Sequence, residues 1–214
     1  MSVALPNGAL FAIASTYGAV KSMTAISNAV GAVATLEASH GVIVSDVVEV
    51  TSGWTKLNGR LAKATAVATN DVTFGGIDTS NTTRYPAGSG IGSVREVTAW
   101  TQLSQVLDVQ TSGGDQGFAT YSFLEDDTEH QIPTVRSPIT LNIDLGDDAT
   151  LPWYAVLSAA DEDRLVRALR LTLPSGAIIY YNGIVSLNRT PTLTKNNVMA
   201  LKATFSLQSA PTRY

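Results

Sequence analysis

RALRLTLPSGAIIYYNGIVSLNRTPTLTKNNVMALKATFSL, residues 167–207, is the stretch that most clearly predicts how this chain folds. Apolar and polar residues alternate from 169 to 173, which is the period of a half-buried β-strand. Turn-forming residues interrupt the pattern at 174–176 and 196–197, and the alternation returns at 199–207. The sequence therefore predicts antiparallel strands with one apolar face, and such strands need a second layer to cover that face.

The composition limits the classes of protein to which the chain can belong. It has 214 residues, of which 44% are hydrophobic and 15% charged, with a net charge of −4 and no cysteine. The negative charge argues against binding nucleic acid by bulk attraction, and the lack of cysteine excludes disulfides and thiolate sites. No apolar run approaches the length of a membrane span, and the first residues lack the pattern of a signal peptide. We therefore expect a protein without a membrane span that is made in a cytoplasm.

Charge is segregated along the chain. Between Asp108 and Asp163 there are twelve acidic residues and one basic residue, whereas from Arg164 to Tyr214 there are seven basic residues and no acidic one. In a monomer the two segments can neutralise each other, as mixed-sign surfaces do in ordinary soluble proteins. In an assembly the acidic surface of one copy can instead contact the basic surface of the next, and such head-to-tail contacts build rings or filaments.

The N-terminal part contains a series of short predicted strands. Residues 8–17 form an apolar run that suits a buried strand, and residues 20–92 contain short β-rich runs at close spacing. Asn-Gly at 58–59 is a strong signal for a hairpin turn. The spacing predicts a small β-barrel at 20–92, and its last part, 79–92, is rich in turn formers and is predicted to be a loop leaving the barrel.

The middle of the chain combines one more strand with a long polar segment. Residues 94–109 read as a strand, and residues 110–137 read as a loop that carries the acidic run at 125–129. Loops of this length are uncommon unless they are functional or disordered in isolation. We therefore expect this loop to be functional or to be disordered in isolation.

A strand and one helix follow the predicted loop. Apolar residues alternate with polar ones at 139–145, which predicts a half-buried strand. Residues 151–163 are the one good helix candidate, with Thr150 as a possible cap and Pro152 in the first turn. An apolar stripe at helical spacing predicts that the helix packs on the sheet: Trp153, Val156, Leu157 and Ala160.

Residues that could carry catalysis are sparse and scattered. The two histidines, His40 and His130, belong to no metal-binding or triad motif. The acidic clusters at 147–148 and 161–163 lack the alternating oxygen ligands of a calcium loop and read as solvated charges. The sequence predicts no enzymatic activity, no cofactor and no metal.

Residues 20–92 resemble the small barrel module of many phage structural proteins, which also occurs in ubiquitin-activating enzymes. The resemblance implies a structural or interaction unit without chemistry of its own. It rests on the following motifs: ISN at 26–28, SHG at 39–41, DVV at 46–48, LNGR at 57–60, VTF at 72–74 and GID at 76–78.

The rest of the chain, 1–19 and 93–214, resembles the major tail tube protein of long-tailed, non-contractile bacteriophages. The strongest local match is LRLTLPSG at 169–176, continuing through YNGIV at 181–185 to Thr190. On this resemblance the chain has two domains, a tail-tube β-sandwich with one flanking α-helix at 1–19 and 93–214 and the small all-β barrel inserted at 20–92.

The tail-tube resemblance also implies a function. Copies of the chain form hexameric rings, and the rings stack into a tube around the tape-measure protein, with a tail terminator as a further partner. The tube later passes DNA to the host without sequence-specific binding. The protein is then a part of the virion tail, made in the cytoplasm of the host bacterium.

The resemblance and the charge pattern together suggest which residues face the channel and which face neighbouring subunits. The polar side of the strand at 139–145 is expected to line the lumen, through Thr140, Asn142 and Asp144, while the inserted barrel lies on the exterior. Contacts between subunits or rings are expected to pair acids of the long loop with bases of the C-terminal part: Glu125, Asp126, Asp127 and Glu129 with Arg164, Arg167, Arg170, Arg189 and Lys195.

Alternative functions remain open at this point. One is another tail component of the same fold, namely a tail terminator or the inner tube of a contractile tail or of a type VI secretion system. Another is a β-sandwich carbohydrate-binding module, which usually exposes aromatic residues on a flat face. Here Trp54, Trp100 and Trp153 are scattered along the chain.

Overall fold

The chain folds almost entirely into antiparallel β-structure. The computed structural model describes residues 5–214, which contain fourteen strands and one α-helix. The alternating runs at 169–173 and 199–207 fall on the strands Val166–Thr172 and Ala200–Leu207, so the predicted mainly β fold class with one helix is confirmed.

Six strands from the first half of the chain pair in a closed circuit. Antiparallel ladders join them in the order β1-β2-β5-β4-β3-β6, and β6 pairs again with β1, so the circuit has no free edge at this end of the molecule. Phe74 and Trp54 lie among the buried side chains that fill its interior. The strands are β1 (Leu10–Ile26), β2 (Val30–Leu36), β3 (Val47–Ser52), β4 (Arg60–Ala68), β5 (Asp71–Asp78) and β6 (Gly92–Leu103).

Two of these strands continue beyond the barrel. β1 runs from Leu10 to Ile26 and its first residues pair with a strand of the C-terminal part, while its last residues pair with β2. β6 likewise pairs with β3 through residues 92–96 and extends to Leu103 along β1. The division into two domains, with boundaries at 19–20 and 92–93, stays a prediction. Both boundaries lie within strands, β1 and β6, that belong to the barrel and to the C-terminal part alike.

The predicted loop at 79–92 folds back over one end of the barrel. Tyr85 is buried and packs edge-on against Trp54, with 5.2 Å between the ring centroids. The Trp54 indole donates a hydrogen bond to the Pro86 carbonyl at 2.8 Å, and the Asn28 amide donates to the carbonyls of Thr79 and Tyr85. These contacts fix the loop as a cover for the barrel core.

The second half of the chain forms an open sheet that continues from the barrel strands. Its order is β6-β1-β11-β12-β13-β10-β7, with β14 beside β12, and β8 pairs only with β9 in the described part of the chain. The elements are β7 (Val106–Ser112), β8 (Gln116–Tyr121), β9 (His130–Arg136), β10 (Thr140–Gly146), α1 (Pro152–Asp163), β11 (Val166–Thr172), β12 (Ile178–Thr192), β13 (Ala200–Leu207) and β14 (Thr212–Arg213).

The core of the open sheet is formed by side chains at alternate positions of its strands. Ile143 of β10, Phe205 of β13 and Ile13 of β1 are fully buried in one cluster, together with Trp153 and Leu157 of α1. Strands near both ends of the sheet order contribute to this one cluster, so the sheet curls around it and the helix helps to cover it. Burying each such aliphatic side chain contributes about 1.5–3 kcal/mol.

Details of the predicted helix and strands differ from the structure. Thr150 does not cap α1, because its hydroxyl donates to Asp148 and the N-cap residue is Leu151, which makes no side-chain hydrogen bond. α1 spans 12 residues, and residues 5–214 contain no helix long and apolar enough to cross a membrane. The prediction of one continuous strand at 94–109 is also wrong, since a turn with Gln105 at a φ of 59° separates β6 from β7.

The barrel and the open sheet are joined by a third group of buried residues and by polar contacts of the C-terminus. We call the buried group the junction cluster: Ala14, Val47, Leu61, Val97, Ala168 and Tyr180. Beside it, the Tyr214 hydroxyl donates to the Gly75 carbonyl at 2.6 Å and accepts from the Lys63 amide at 2.7 Å. The two halves of the fold are therefore packed against each other.

Candidate assembly surfaces

The predicted loop at 110–137 is mostly a β-hairpin. β8 and β9 pair antiparallel from Gln116 opposite Arg136 to Tyr121 opposite His130, and the described residues offer no further strand beside them. The prediction of an unstructured loop is wrong because the short strands alternate poorly and Pro133 lies within one of them. We call β8, β9 and the connecting residues 122–129 the hairpin arm, and residues 122–129 its acidic tip.

The hairpin arm carries apolar side chains that its own chain leaves uncovered. An isolated two-stranded hairpin is at best marginally stable in water, and exposed apolar patches of this kind mark interaction sites. Sequence reasoning missed these residues, although the two apolar runs on either side of a polar turn were a usable signal. Five of them are more than half exposed: Phe118, Phe123, Leu124, Ile132 and Val135.

The acidic tip has a defined internal structure. His130 contacts the Asp126 carboxylate at 2.6 Å, and the Thr128 hydroxyl donates to the same carboxylate at 2.8 Å. Hydrogen bonds from His130 and Thr128 hold the pKa of the Asp126 carboxyl below its usual range. The neighbouring carboxylates of Glu125, Asp127 and Glu129 form no ion pair within residues 5–214. Three of the four predicted contact acids are therefore uncompensated.

The predicted basic partners separate into two groups. Arg167 is bonded to Asp163, and Arg189 contacts Glu162 at 2.7 Å, so these two are neutralised inside the chain. The remaining three form no ion pair in the described part of the chain: Arg164, Arg170 and Lys195. The acidic partners of Arg167 and Arg189 are Asp163 and Glu162, which both belong to α1. The sequence alone did not show which of the five basic residues these two acids would contact.

The residues predicted to line a channel lie on the side of β10 opposite the core. Asn142 is opposite Thr204 of β13 on one side and Gln110 of β7 on the other, and the Thr204 hydroxyl donates to the Asn142 amide oxygen at 3.0 Å. The strand pairing thus joins three strands into one polar surface, which we call the polar face: Asp108, Gln110, Ser112, Thr140, Asn142, Asp144, Lys202, Thr204 and Ser206.

The open sheet ends in two strand edges. β7 pairs only with β10, and residues 97–103 of β6 pair only with β1, as far as residues 5–214 are concerned. The outer backbone N–H and C=O groups of these edges lack strand partners. Unpaired edges of this kind are templates for a strand of another chain.

Comparison with known proteins adds one finding. The family model described as phage tail tube protein, TTP, matches residues 52–214, which is more than half of the chain. A search of curated proteins found none that matches this chain. The matched region begins at the last residue of β3 and includes β4 to β14 and α1, with the hairpin arm among them, whereas β1 of the open sheet lies outside it.

Proposed function

The chain belongs to the phage tail tube protein family, and on that premise we propose that its copies close into hexameric rings whose stack forms the tube that delivers DNA to the host. It is a structural component of the phage tail and belongs to no enzyme family. On this proposal the rings assemble around a tape-measure protein, and a terminator binds the last ring. No chemical step is required of any side chain.

The observation that carries the proposal is the uncovered hairpin arm. Phe118 and Val135 are 57% and 82% exposed, although they belong to strands that would be stabilised by a further layer. A second copy of the chain supplies that layer wherever the arm of one subunit rests on the body of the next. Because the arm and the surface that receives it are different parts of the molecule, such a contact repeats head to tail and supports stacking.

The two free edges of the open sheet support closure within a ring. If β7 of one subunit pairs with residues 97–103 of β6 in the next, the sheets of all subunits join into one wall. A closed wall leaves no unpaired strand edge that could aggregate. A heterologous contact gives a ring when the rotation between neighbouring subunits brings the last subunit back to the first. Six copies per ring is the symmetry we propose from the family resemblance.

The polar face and the barrel suggest which side of the wall is the lumen. The barrel packs through the junction cluster on the outer faces of β1, β11 and β12, whereas the polar face covers β7, β10 and β13 at the other end of the curled sheet. With the barrel outside, the polar face lines the bore. Two carboxylates, of Asp108 and Asp144, outnumber the one ammonium group of Lys202 on this face, and the net negative charge disfavours adhesion of DNA phosphates.

Electron microscopy of the purified full-length protein tests the proposal. We expect tubes of uniform width with sixfold cross-sections at high protein concentration. Isolated single rings would favour a tail terminator. A protein that remains monomeric at high concentration, by sedimentation velocity, would contradict the proposal, and selective binding of glycans by that monomer would favour a carbohydrate-binding module.

A further inference from the structure

A small pocket opens on the outer face of β6, β1 and β11. It encloses about 190 Å³, and its side chains come from neighbouring positions of three paired strands, since Ala12 is opposite both Gln102 and Arg170. Leu10 is one of its lining residues and is 49% exposed. Its lining includes Leu10, Trp100, Gln102, Arg170 and Thr172.

Arg170 is the charged group of this pocket. Its guanidinium lies 5.0 Å from the centre of the Trp100 ring, and the side chain is half-buried. Among residues 5–214 it has no carboxylate within 4.0 Å and no hydrogen-bond acceptor, in contrast to Arg167 and Arg189. A guanidinium has five N–H donors, so this one retains its full capacity for a bidentate carboxylate.

The surroundings of Arg170 strengthen its attraction for an anion. Trp100 packs near Tyr180 with 6.0 Å between the ring centroids, and burial raises the pKa of Tyr180 although the charge of Arg170 opposes that rise. A cation held against aromatic rings and partly withdrawn from water is screened less than a surface lysine. Gln102 and Thr172 add neutral hydrogen-bonding groups at the rim.

We propose that this pocket receives the acidic tip of the hairpin arm of a second copy, with a carboxylate of Glu125 or Asp127 bound to Arg170. The inference rests on the proposed function, since it requires copies to assemble, and it names the receiving surface. Charge complementarity selects the occupant, because the tip carries uncompensated carboxylates and the pocket an uncompensated cation. Exposed Phe123 next to these acids packs on the apolar rim formed by Leu10 and Trp100.

Site-directed crosslinking tests the contact directly, because the chain contains no cysteine. Gln102→Cys and Ser122→Cys are introduced together into the full chain, and assembled protein is treated with a short bis-maleimide. We expect a ladder of covalent oligomers on a denaturing gel, and only monomer or dimer from either single variant. Assembled tubes that give no ladder would overturn the inference and leave the proposed function intact.

Charge reversal provides a second test. Arg170→Glu is expected to lower the yield of sedimentable assemblies at least tenfold, and combining it with Glu125→Lys and Asp127→Lys is expected to restore most of that yield. The matched control is Lys56→Glu, the same charge change at an exposed barrel residue, which should assemble normally. Normal assembly of Arg170→Glu, or failure of the combined variant to recover while each protein melts as wild type, would contradict the pairing. Absence of assembly in wild type would instead contradict the proposed function.

Discussion

Tyr214 joins the two halves of the fold through a single hydroxyl group. That hydroxyl bonds to the Gly75 carbonyl and to the Lys63 amide, both in the barrel, while the Tyr214 backbone pairs with Ile178 of the open sheet. Tyr214→Phe removes the hydroxyl partner of two part-buried backbone groups, so we expect a loss of about 1–3 kcal/mol in the free energy of unfolding. Urea denaturation measures it, and Tyr121→Phe on the exposed hairpin arm is the control that should change little.

The buried tyrosines also make stability depend on alkaline pH. Burial raises the pKa of Tyr17, Tyr180, Tyr181 and Tyr214 above the ordinary value of 10.0. Their contribution is fully present below that value, where unfolded phenols are neutral, and is lost as the pH rises from 10 through the higher folded values. We expect the urea midpoint to be similar at about pH 8 and pH 9 and to fall by about pH 11. A constant midpoint across this range would contradict the prediction.

At the scale of elements, packing stabilises α1, since no side chain caps its N-terminus. Trp153 is fully buried, and its indole N–H has no partner among the described residues. Trp153→Ala is therefore expected to cost about 3–5 kcal/mol through the cavity it leaves. Trp153→Phe retains much of the ring and removes the unpaired donor, so it should cost less than half as much. Thermal unfolding of both variants distinguishes this account from one in which Trp153 matters through a hydrogen bond.

Local periodicity determined which elements were predictable from sequence. The strands predicted at 169–173 and 199–207 and the helix predicted at 151–163 correspond to β11, β13 and α1, because apolar residues at a period of 2 or 3.6 in each of them pack into the core of the open sheet. The hairpin arm buries no face within its own chain, so the pattern is weak and the segment read as a loop. The same limit applies to the charges: the sequence identifies Arg167 and Arg170 alike, and only the fold reveals that Asp163 neutralises the first.

Removal of the acidic tip separates folding from assembly. Deleting residues 123–129 takes away Phe123, Leu124 and the uncompensated acids but leaves every residue of the barrel and of the open sheet. We expect a protein that melts within a few degrees of wild type and forms no stacked tubes. Circular dichroism and negative-stain images measure the two properties. Tubes of normal length from this variant would exclude the hairpin arm as the stacking element.

At the scale of the whole molecule, the two halves of the fold differ in whether their strand edges are paired. The barrel strands pair in a closed circuit and leave no edge there, whereas the open sheet ends in β7 and in residues 97–103 of β6. A chain that finished its own sheet would gain nothing from a neighbour. The assembly proposed here follows from the one half of the molecule that leaves its sheet unfinished and its hairpin arm uncovered.

The charge of the polar face yields a test of which surface lines the bore. Asp108 and Asp144 lie opposite each other, and Lys202 is the basic residue across from Asp144. Replacing both acids by lysine turns a slightly acidic surface, repeated in every subunit, into a strongly basic one. If this face lines the lumen, tubes of the variant should retain short double-stranded DNA at low salt and release it as salt rises, because bound phosphates exchange with counterions.

Nuclease protection then distinguishes the bore from the exterior. DNA held inside variant tubes should resist digestion until the salt is raised. The matched control reverses Asp71 and Asp78, two exposed acids of the barrel, so any DNA it binds lies on the outside and is digested. Equal digestion in both variants, with tubes intact by electron microscopy, would place the polar face outside the bore. Protection confined to the Asp108 and Asp144 variant is the result that we expect if the polar face lines the bore.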